Sequence, residues 1–422
     1  MRLLVKNASQ VVVVCSKMQK FLKSQDIAEQ FIVLENTSVA IDHSGLISQI
    51  GPLQEIISST PESNFEKVID ATDKCVIPGL VDGHTHAVWA GDRVHEFALK
   101  LRGASYMEIH KAGGGIGFTV DKTRAASEEV LLDLYLQRLK LMLRNGTTLV
   151  ESKSGYGLDA QTELKMLKVI EKAKSLQPID ISSTFCGAHS KPKGMDEVCA
   201  TKDVLESQMP AVLDAIKNGE ISVDSIDVFC EKGVFETESS KQILLAGKEK
   251  GMMINFHAEE LNYIGGVEMG VSIGATAISH LEEISDEGIQ HMASSNAVAV
   301  ILPTTAHILK LKHPPVKKML EEGVIVALGT DFNPNAYCVS MLTVMNLACI
   351  MFRMSMEEAL VAATLNAAAS VGKSDMHGSI EVGKWGDLVL IDAPRWEHVI
   401  YQMNASEIIS HVIKKGLVVV SK

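Results

Sequence analysis

No run in the 422-residue sequence is apolar for long enough to span a bilayer, and Val11 to Cys15, the longest such run near the start, is also too short for a signal-peptide core. The seven cysteines (15, 75, 186, 199, 230, 338 and 349) are scattered, odd in number and never in a Cys-x-x-Cys pair. That pattern argues against a disulfide framework and predicts reduced, mostly buried thiols in a cytoplasmic protein. Basic residues are outnumbered 40 to 52, and the net charge of −12 argues against nucleic acid or an anionic membrane as the main partner. No glycine-rich dinucleotide fingerprint follows a strand-like run, which weighs against a Rossmann domain. What remains is an ordinary globular composition suited to a small-molecule partner.

Both ends of the chain read as β-structure. Leu3 to Val5, Val11 to Val14, Phe31 to Val33, Ser38 to Ile41 and Leu46 to Ile50 are short apolar runs separated at Asn7, Asn36, Gly45 and Gly51, where turns are expected. Gly386 to Ile391, Val412-Ile413 and Leu417 to Val420 repeat the style near the other end. One small β-sandwich built from residues 1–77 and 378–422 accounts for both.

Between them strands and helices alternate. Strand-like runs fall at Val76 to Val81, Thr147 to Glu151, Ile179 to Phe185, Ile226 to Cys230, Met252 to Phe256, Thr276 to Ser279, Ala297 to Leu302 and Val324 to Leu328. Helices fill most of the gaps. Ser127 caps one whose stripe is Leu131, Leu132, Tyr135, Leu139 and Met142, with Asn145-Gly146 as its stop. Asp159 opens the next, Pro314-Pro315 precede Val316 to Glu322, and Ser355-x-x-Glu358 forms a capping box before Ala359 to Val371. Eight such strands predict an α/β fold, a (β/α)8 barrel over residues 78–377.

A barrel enzyme keeps its chemistry at the carboxyl ends of its strands, and the polar residues cluster there. His84 and His86 end the first strand, Glu151 the second, His189 follows the third and Glu231 the fourth. His257, Glu259 and Glu260 follow the fifth, His280 and Glu282 the sixth, and Asp331 the eighth. On extended chain, residues i and i+2 face one side, so His84 and His86 can aim at one point. Read singly, Asp331 fits a helix cap and His280 a packed histidine. Together His84, His86, His257 and Asp331 form a mixed nitrogen and oxygen set suited to one zinc or iron ion, with an open position for catalysis. Such an ion makes water a usable nucleophile near neutral pH. Asp331, His280 and Glu260 are three candidates for moving its proton, with Asp331 and His280 ranked ahead of Glu260. Because histidine ligands compete with protons for the metal, activity is expected to fall below roughly pH 6.

Four motifs, Pro78-Gly79-Leu80-Val81-Asp82-Gly83-His84-Thr85-His86, His257-Ala258-Glu259, Ser279-His280-Leu281-Glu282 and Gly329-Thr330-Asp331, resemble the amidohydrolase superfamily. The tail Gly378 to Asp387 is similar to that superfamily's return into its sandwich. Within it, the closer resemblance is to the imidazolonepropionase family. It rests on Ala90-Gly91-Asp92-Arg93, Arg102-Gly103-Ala104-Ser105-Tyr106, Ala112-Gly113-Gly114-Gly115-Ile116, Glu151 to Leu158, Gly187-Ala188-His189 and Asp331-Phe332-Asn333-Pro334. The likeness covers nearly the whole chain.

The resemblance implies hydrolysis of 4-imidazolone-5-propanoate to N-formimidoyl-L-glutamate in histidine degradation, and a homodimer. Against that substrate, Arg93 would anchor the propanoate carboxylate, the competing reading being an arginine paired with Asp92 or Glu96 at the surface. Tyr156 would reach the carboxylate or stack on the ring. His189 and Glu260 would hold the ring carbonyl and a ring N–H, and Asn333 would touch the ring or product. Asn335 and Ala336, also read as substrate contacts, stand where many members have Gly followed by Ser or Thr. Gly113 to Gly115 reads as a mobile loop over the mouth. A second metal is not expected, since Cys230 and Glu231 close the fourth strand where two-metal members use a modified lysine. The rival within the fold is a purine or pyrimidine deaminase, which has no need of the Arg93 anchor. A barrel kept as a bare scaffold would be expected to have lost metal ligands, and none is lost here.

Overall fold

The computed structural model describes residues 1–103 and 114–422. Ala104, Ser105, Tyr106, Ala112 and Gly113, and with them part of the expected glycine loop, lie outside the described residues.

Among the described residues two eight-stranded sheets organise the chain. The first takes β1 (Leu3–Val13), β2 (Ile32–Ile41), β3 (Ile47–Gly51), β4 (Lys67–Asp70) and β5 (Cys75–Pro78) from one end of the chain. The second is formed by β6 (Leu80–Asp82), β7 (Thr147–Lys153), β8 (Asp180–Ala188), β9 (Ser225–Cys230), β10 (Met253–Ala258), β11 (Ala277–His280), β12 (Val298–Ile301) and β13 (Ile325–Leu328). The first is completed by β14 (Leu388–Ile391), β15 (Ile409–Lys414) and β16 (Leu417–Ser421).

Asn7 and Asn36 do not end strands. Both take left-handed backbone, at φ 59° and 47°; Asn7 lies where the register of the β1–β2 pair shifts, between Val5 and Ala8, and Asn36 lies within β2 between the paired residues Glu35 and Thr37. Asparagine tolerates that conformation, and the bulge lets β1 change neighbours along its length. Its first residues run parallel to β4 and its later ones parallel to β5. The sheet so bent encloses Leu3, Val5, Val39, Ile47, Ile69, Val76, Leu388 and Ile413.

The run Val76 to Val81 is two strands. Cys75–Pro78 pairs antiparallel with β14 in the first sheet, and after Gly79 the chain enters the barrel as β6. Gly79 is required there, because a Cβ would lie 2.3 Å from the Thr148 hydroxyl oxygen.

The barrel strands run parallel in the order β6 to β13. Residues facing inward at their starts, Val81, Leu149, Ala277, Val298, Ile325 and Ala327, pack with the alanine-rich helix Leu365–Ser370 into an apolar floor. Two and four residues further along, the inward positions turn polar: Glu151 and Lys153 on β7, Asp227 on β9, His257 on β10 and Ser279 on β11. The period of two thus raises one stripe per strand from oil to charge.

The helices follow their caps. Ser127 accepts from Val130 N at the start of Glu128–Arg144, and Asp159 from Thr162 N at the start of Ala160–Leu176. The Ser355–Glu358 box forms, but its helix stops at Ala362 instead of running to Val371. Thr364 bonds back to Leu360 O, and Ala363 O accepts Val81 N from the barrel, so the next helix starts afresh at Leu365. None of the described helices is long and apolar enough to cross a membrane.

Candidate metal centre and substrate cavity

The barrel closes through its site. β6 and β13 are not paired directly, and the residues after them make the seam: Asp331 N donates to His84 O at 3.0 Å and His86 N to Phe332 O at 3.0 Å. Below this, Asp82, fully buried, accepts Thr330 N at 2.9 Å and the Thr330 hydroxyl at 2.6 Å. Burial pushes its pKa up to about 7, against the pull of Thr330. Gly329 permits the approach, since a Cβ there would lie 3.0 Å from the His84 backbone N.

The seam brings the four expected ligands together. His86 Nε2 and His257 Nε2 lie 3.0 Å apart, and Asp331 Oδ1 is 3.5 Å from His84 Nε2 and 3.8 Å from His86 Nε2. Each ring is set by its other side. His257 Nδ1 donates to Asp227 Oδ1 at 2.7 Å, which leaves Nε2 as a lone pair. His84 Nδ1 meets Ser279 Oγ at 2.9 Å. His86 stacks on His189, with centroids 4.4 Å apart and planes 12° from parallel. Thr305 donates to Asp331 Oδ2, so Oδ1 is the free oxygen. Burial holds all three histidines well below their usual pKa, with nearby cations adding to it. They are neutral, as metal ligands must be.

This set fits a cation by its own chemistry. His84 Nε2 and Asp331 Oδ1 are buried without a protein hydrogen-bond partner, and two imidazole nitrogens at 3.0 Å need a shared proton or a shared cation between them.

A cavity of about 320 Å³ opens over the ligands. His86, His257 and Asp331 line it, together with Arg93, Tyr156, His189, Glu260, His280, Asn333 and Asn335. Arg93 is buried rather than on the surface; its Nε and Nη2 are 2.8 and 2.6 Å from Glu96 Oε2, while Glu96 Oε1 accepts Gly115 N. The pairing with Glu96 and the place beside the cavity are therefore both real. Tyr156 lies over His86 and His189, its loop held by Glu163, which accepts the backbone N–H of Gly155, Gly157 and Leu158.

His189 differs from expectation in what it can offer. Its Nδ1 donates to Gly155 O at 2.9 Å, and burial lowers it to about 4 despite that bond. The neutral ring then presents Nε2 as an acceptor, matched to a ring N–H and not to a carbonyl. Burial lifts Glu260 to about 7 even with His280 beside it. His280 is itself disfavoured as a cation by burial, but Glu260, Glu282 and Asp331 outweigh this and push it up to about 10. Its Nε2 is 3.7 Å from Glu260 and its Nδ1 3.8 Å from Glu282.

The Asn333 amide is engaged at both ends, donating to Asp331 O and accepting from Asn335 N and Ala336 N. It shapes the loop behind Asp331 as an Asx turn does. Asn335 Oδ1 takes the Lys100 ammonium. Ala336 is fully buried and does not line the cavity.

Two residues escaped the sequence reading as parts of the site. Asp227 orients His257, and Lys153 reaches Asp227 Oδ2 and Glu151 Oε1, each at 2.7 Å. A lone aspartate inside the apolar run Ile226 to Cys230 was the signal for the first.

The family model described as "Amidohydrolase family" matches residues 75–419. Among curated proteins, "Probable imidazolonepropionase" of Bos taurus is 57% identical over 422 residues, spanning 100% of this chain and 99% of that protein. The protein of the same name from Homo sapiens is 56% identical over 98% of this chain and 97% of its own length, and that of Dictyostelium discoideum 52% identical over 100% and 98%. Among solved structures, E. coli guanine deaminase superposes with a TM-score of 0.73 at 17% identity, covering 99% of each chain. A triazine hydrolase variant gives 0.72 at 15%, covering 99% of this chain and 94% of that one. These two share the fold.

Proposed function

The chain belongs to the amidohydrolase family, and from that premise we propose that it hydrolyses the ring amide C–N bond of 4-imidazolone-5-propanoate, giving N-formimidoyl-L-glutamate in histidine degradation. The observation that carries this reading is one cavity of about 320 Å³ lined both by His86, His257 and Asp331 and by Arg93 and Tyr156, so that a cation site and a carboxylate anchor share a pocket that suits a small cyclic amide with an acidic tail.

His84, His86, His257 and Asp331 would hold one ion, zinc or iron, both of which accept three imidazoles and a carboxylate. When bound, such an ion supplies Lewis acidity, polarising a carbonyl and making water nucleophilic near neutral pH. Arg93, steadied by Glu96, turns the rest of its guanidinium to the propanoate, with the Tyr156 hydroxyl beside it. His189 Nε2 accepts a ring N–H and so fixes which face of the amide meets the ligands. Asp331 Oδ1 and Glu260 are the acceptors for the attacking water's proton, and Glu260, open to the cavity and poised near 7, carries it to the leaving nitrogen. His280, expected alongside Asp331 as a proton carrier, is pushed up to about 10 by Glu260, Glu282 and Asp331 and on this reading keeps its proton as a positive charge facing both. Its charge steadies negative charge that builds on the substrate oxygen.

Residues 1–77 and 378–422 form the sheet unit and 78–377 the barrel unit on this reading. A cytoplasmic setting is supported by seven cysteines that are all free. The net charge of −12 supports a small molecule, not nucleic acid or membrane, as partner, and a homodimer is the assembly the resemblance implies.

The test is elemental analysis and turnover on one preparation, following ultraviolet loss of fresh imidazolone propanoate with and without a chelator. Chelator-sensitive formation of formimidoylglutamate is the expected result. Bound metal without turnover would sink the substrate and move the search to ring deamination.

A further inference from the structure

The Glu151-Ser152-Lys153 stretch carries a buried cation that the proposed chemistry does not use. Lys153 is 1% exposed, inside the barrel, with its ammonium 2.7 Å from Glu151 Oε1 and 2.7 Å from Asp227 Oδ2. An ammonium between two carboxylates in a barrel interior is a costly way to fill space, and apolar side chains of the same size are often as good or better for stability. Its two partners do not end with it. Asp227 passes on to His257 Nδ1 through its other oxygen at 2.7 Å. Glu151 passes on to Thr85, the residue between the two histidines: its Oε2 accepts Thr85 N at 3.1 Å, and its backbone O accepts the Thr85 hydroxyl at 2.7 Å. Lys153 N adds a bond to Thr85 O at 3.1 Å.

We infer that Lys153 is a positioning residue for the metal centre, a fixed cation whose two carboxylate arms hold His257 from one side and the His84-Thr85-His86 segment from the other. Removing the ammonium leaves two buried carboxylates facing one another without a counter-charge, and both are anchors of ligand-bearing segments. They separate, and three of the four ligands lose their alignment together. Lys153 touches neither substrate nor ion; it acts through Asp227 and Glu151. The inference rests on the reading that this site holds a metal.

The experiment is zinc affinity of the full chain by competition with a chromophoric chelator, for the unaltered protein, Lys153→Met, Asp227→Asn and the double variant, beside thermal unfolding of each metal-stripped protein. Loss of an outer partner of this kind lowers affinity about 10- to 100-fold, which is expected of each single variant. Because both act through one chain of contacts, the double variant is expected to be little worse than the weaker single one. Asp227→Asn keeps the shape of the side chain, so it carries the test if Lys153→Met fails to fold. Zinc affinities within twofold of the unaltered protein, with only metal-free unfolding shifted, would mean a merely structural lysine and overturn the inference. Losses that add fully in the double variant would overturn it too. An unaltered protein that takes up no zinc or iron would instead remove the metal reading beneath it.

Discussion

Glu163→Gln tests whether the loop under the substrate is held as the structure has it. The Glu163 carboxylate is fully buried and accepts three backbone N–H groups: Gly155 on Oε2 at 2.8 Å, and Gly157 and Leu158 on Oε1 at 2.7 and 2.8 Å. Glutamine has the same shape. Its carbonyl can keep the two bonds on one side, but its NH2 then faces the Gly155 N–H, donor against donor. One charge-assisted bond is lost, about 1.5–3 kcal/mol, and a buried donor is stranded at about 1–3 kcal/mol. Relief of the buried negative charge offsets part of this, so a net cost of roughly 2–4 kcal/mol falls on the Gly155–Leu158 loop. Gly155 O is also the acceptor for His189, and Tyr156 is the next residue, so two cavity-lining groups shift with one substitution. Spread over the loop and its contacts, the cost predicts KM up by roughly 10- to 100-fold, kcat changed less, and faster hydrogen exchange at Gly155, Gly157 and Leu158. Unchanged exchange at those three amides together with an unchanged KM would refute the reasoning.

Arg93→Ala removes the carboxylate anchor at a cost of about 1.5–3 kcal/mol, so KM is expected to rise roughly 10- to 100-fold, and steady-state kinetics showing KM untouched would reassign the anchor. The pH profile offers a second check. Glu260 must be ionised to take a proton, and burial holds it near 7, so kcat/KM should rise through about pH 7 and flatten above it. Glu260→Gln should abolish that limb, and a limb that survives in the variant assigns it elsewhere. Stripping the metal should lower thermal stability, by about 2.7 kcal/mol relative to protein with free ion at 100 times Kd. The same treatment should speed exchange of the His86 and Asp331 amides that cross the barrel seam; exchange that ignores the ion would mean the seam stands without it.

The pH argument also shows where sequence and structure part. Histidine ligands at ordinary pKa would lose the metal to protons below roughly pH 6. Burial holds His84, His86 and His257 well below their usual pKa, so on the proposed reading proton competition would be pushed to lower pH and Glu260 would set the profile in the physiological range. No composition or spacing carries burial of that degree. What was legible was periodicity: strand positions, caps and the clustering of polar residues at strand ends all follow from local pattern. What was not legible depended on distant neighbours. Val76 to Val81 divides between two sheets because β14, three hundred residues on, claims its first half. Asn7 and Asn36 read as turn residues, yet both lie inside paired strands, Asn7 at the register shift between Val5 and Ala8, because β1 and β2 pair on either side of them. Lys153, beyond the expected end of its strand at Glu151, and Asp227, inside another, looked unrelated until the barrel set them 2.7 Å apart. Ala336 sat in a motif that pointed to the substrate, yet its N–H is spent on Asn333 and its side chain on the core.

The seam gives the ligand set a second meaning. First and last strands of the barrel are joined by Asp82, His84 and His86 on one side and Thr330, Asp331 and Phe332 on the other, a contact between residues 248 apart in sequence for the Asp82–Thr330 pair. An ion held by His84, His86, His257 and Asp331 would therefore be a cross-link across that long loop. Like a disulfide it would tie the two ends of that loop together, but by binding the closed hoop and not the unfolded chain. All seven cysteines are free, and no covalent bridge shares the task. The hoop would be clasped at the point where the proposed chemistry takes place, so loading the ion and locking the barrel shut would become one event.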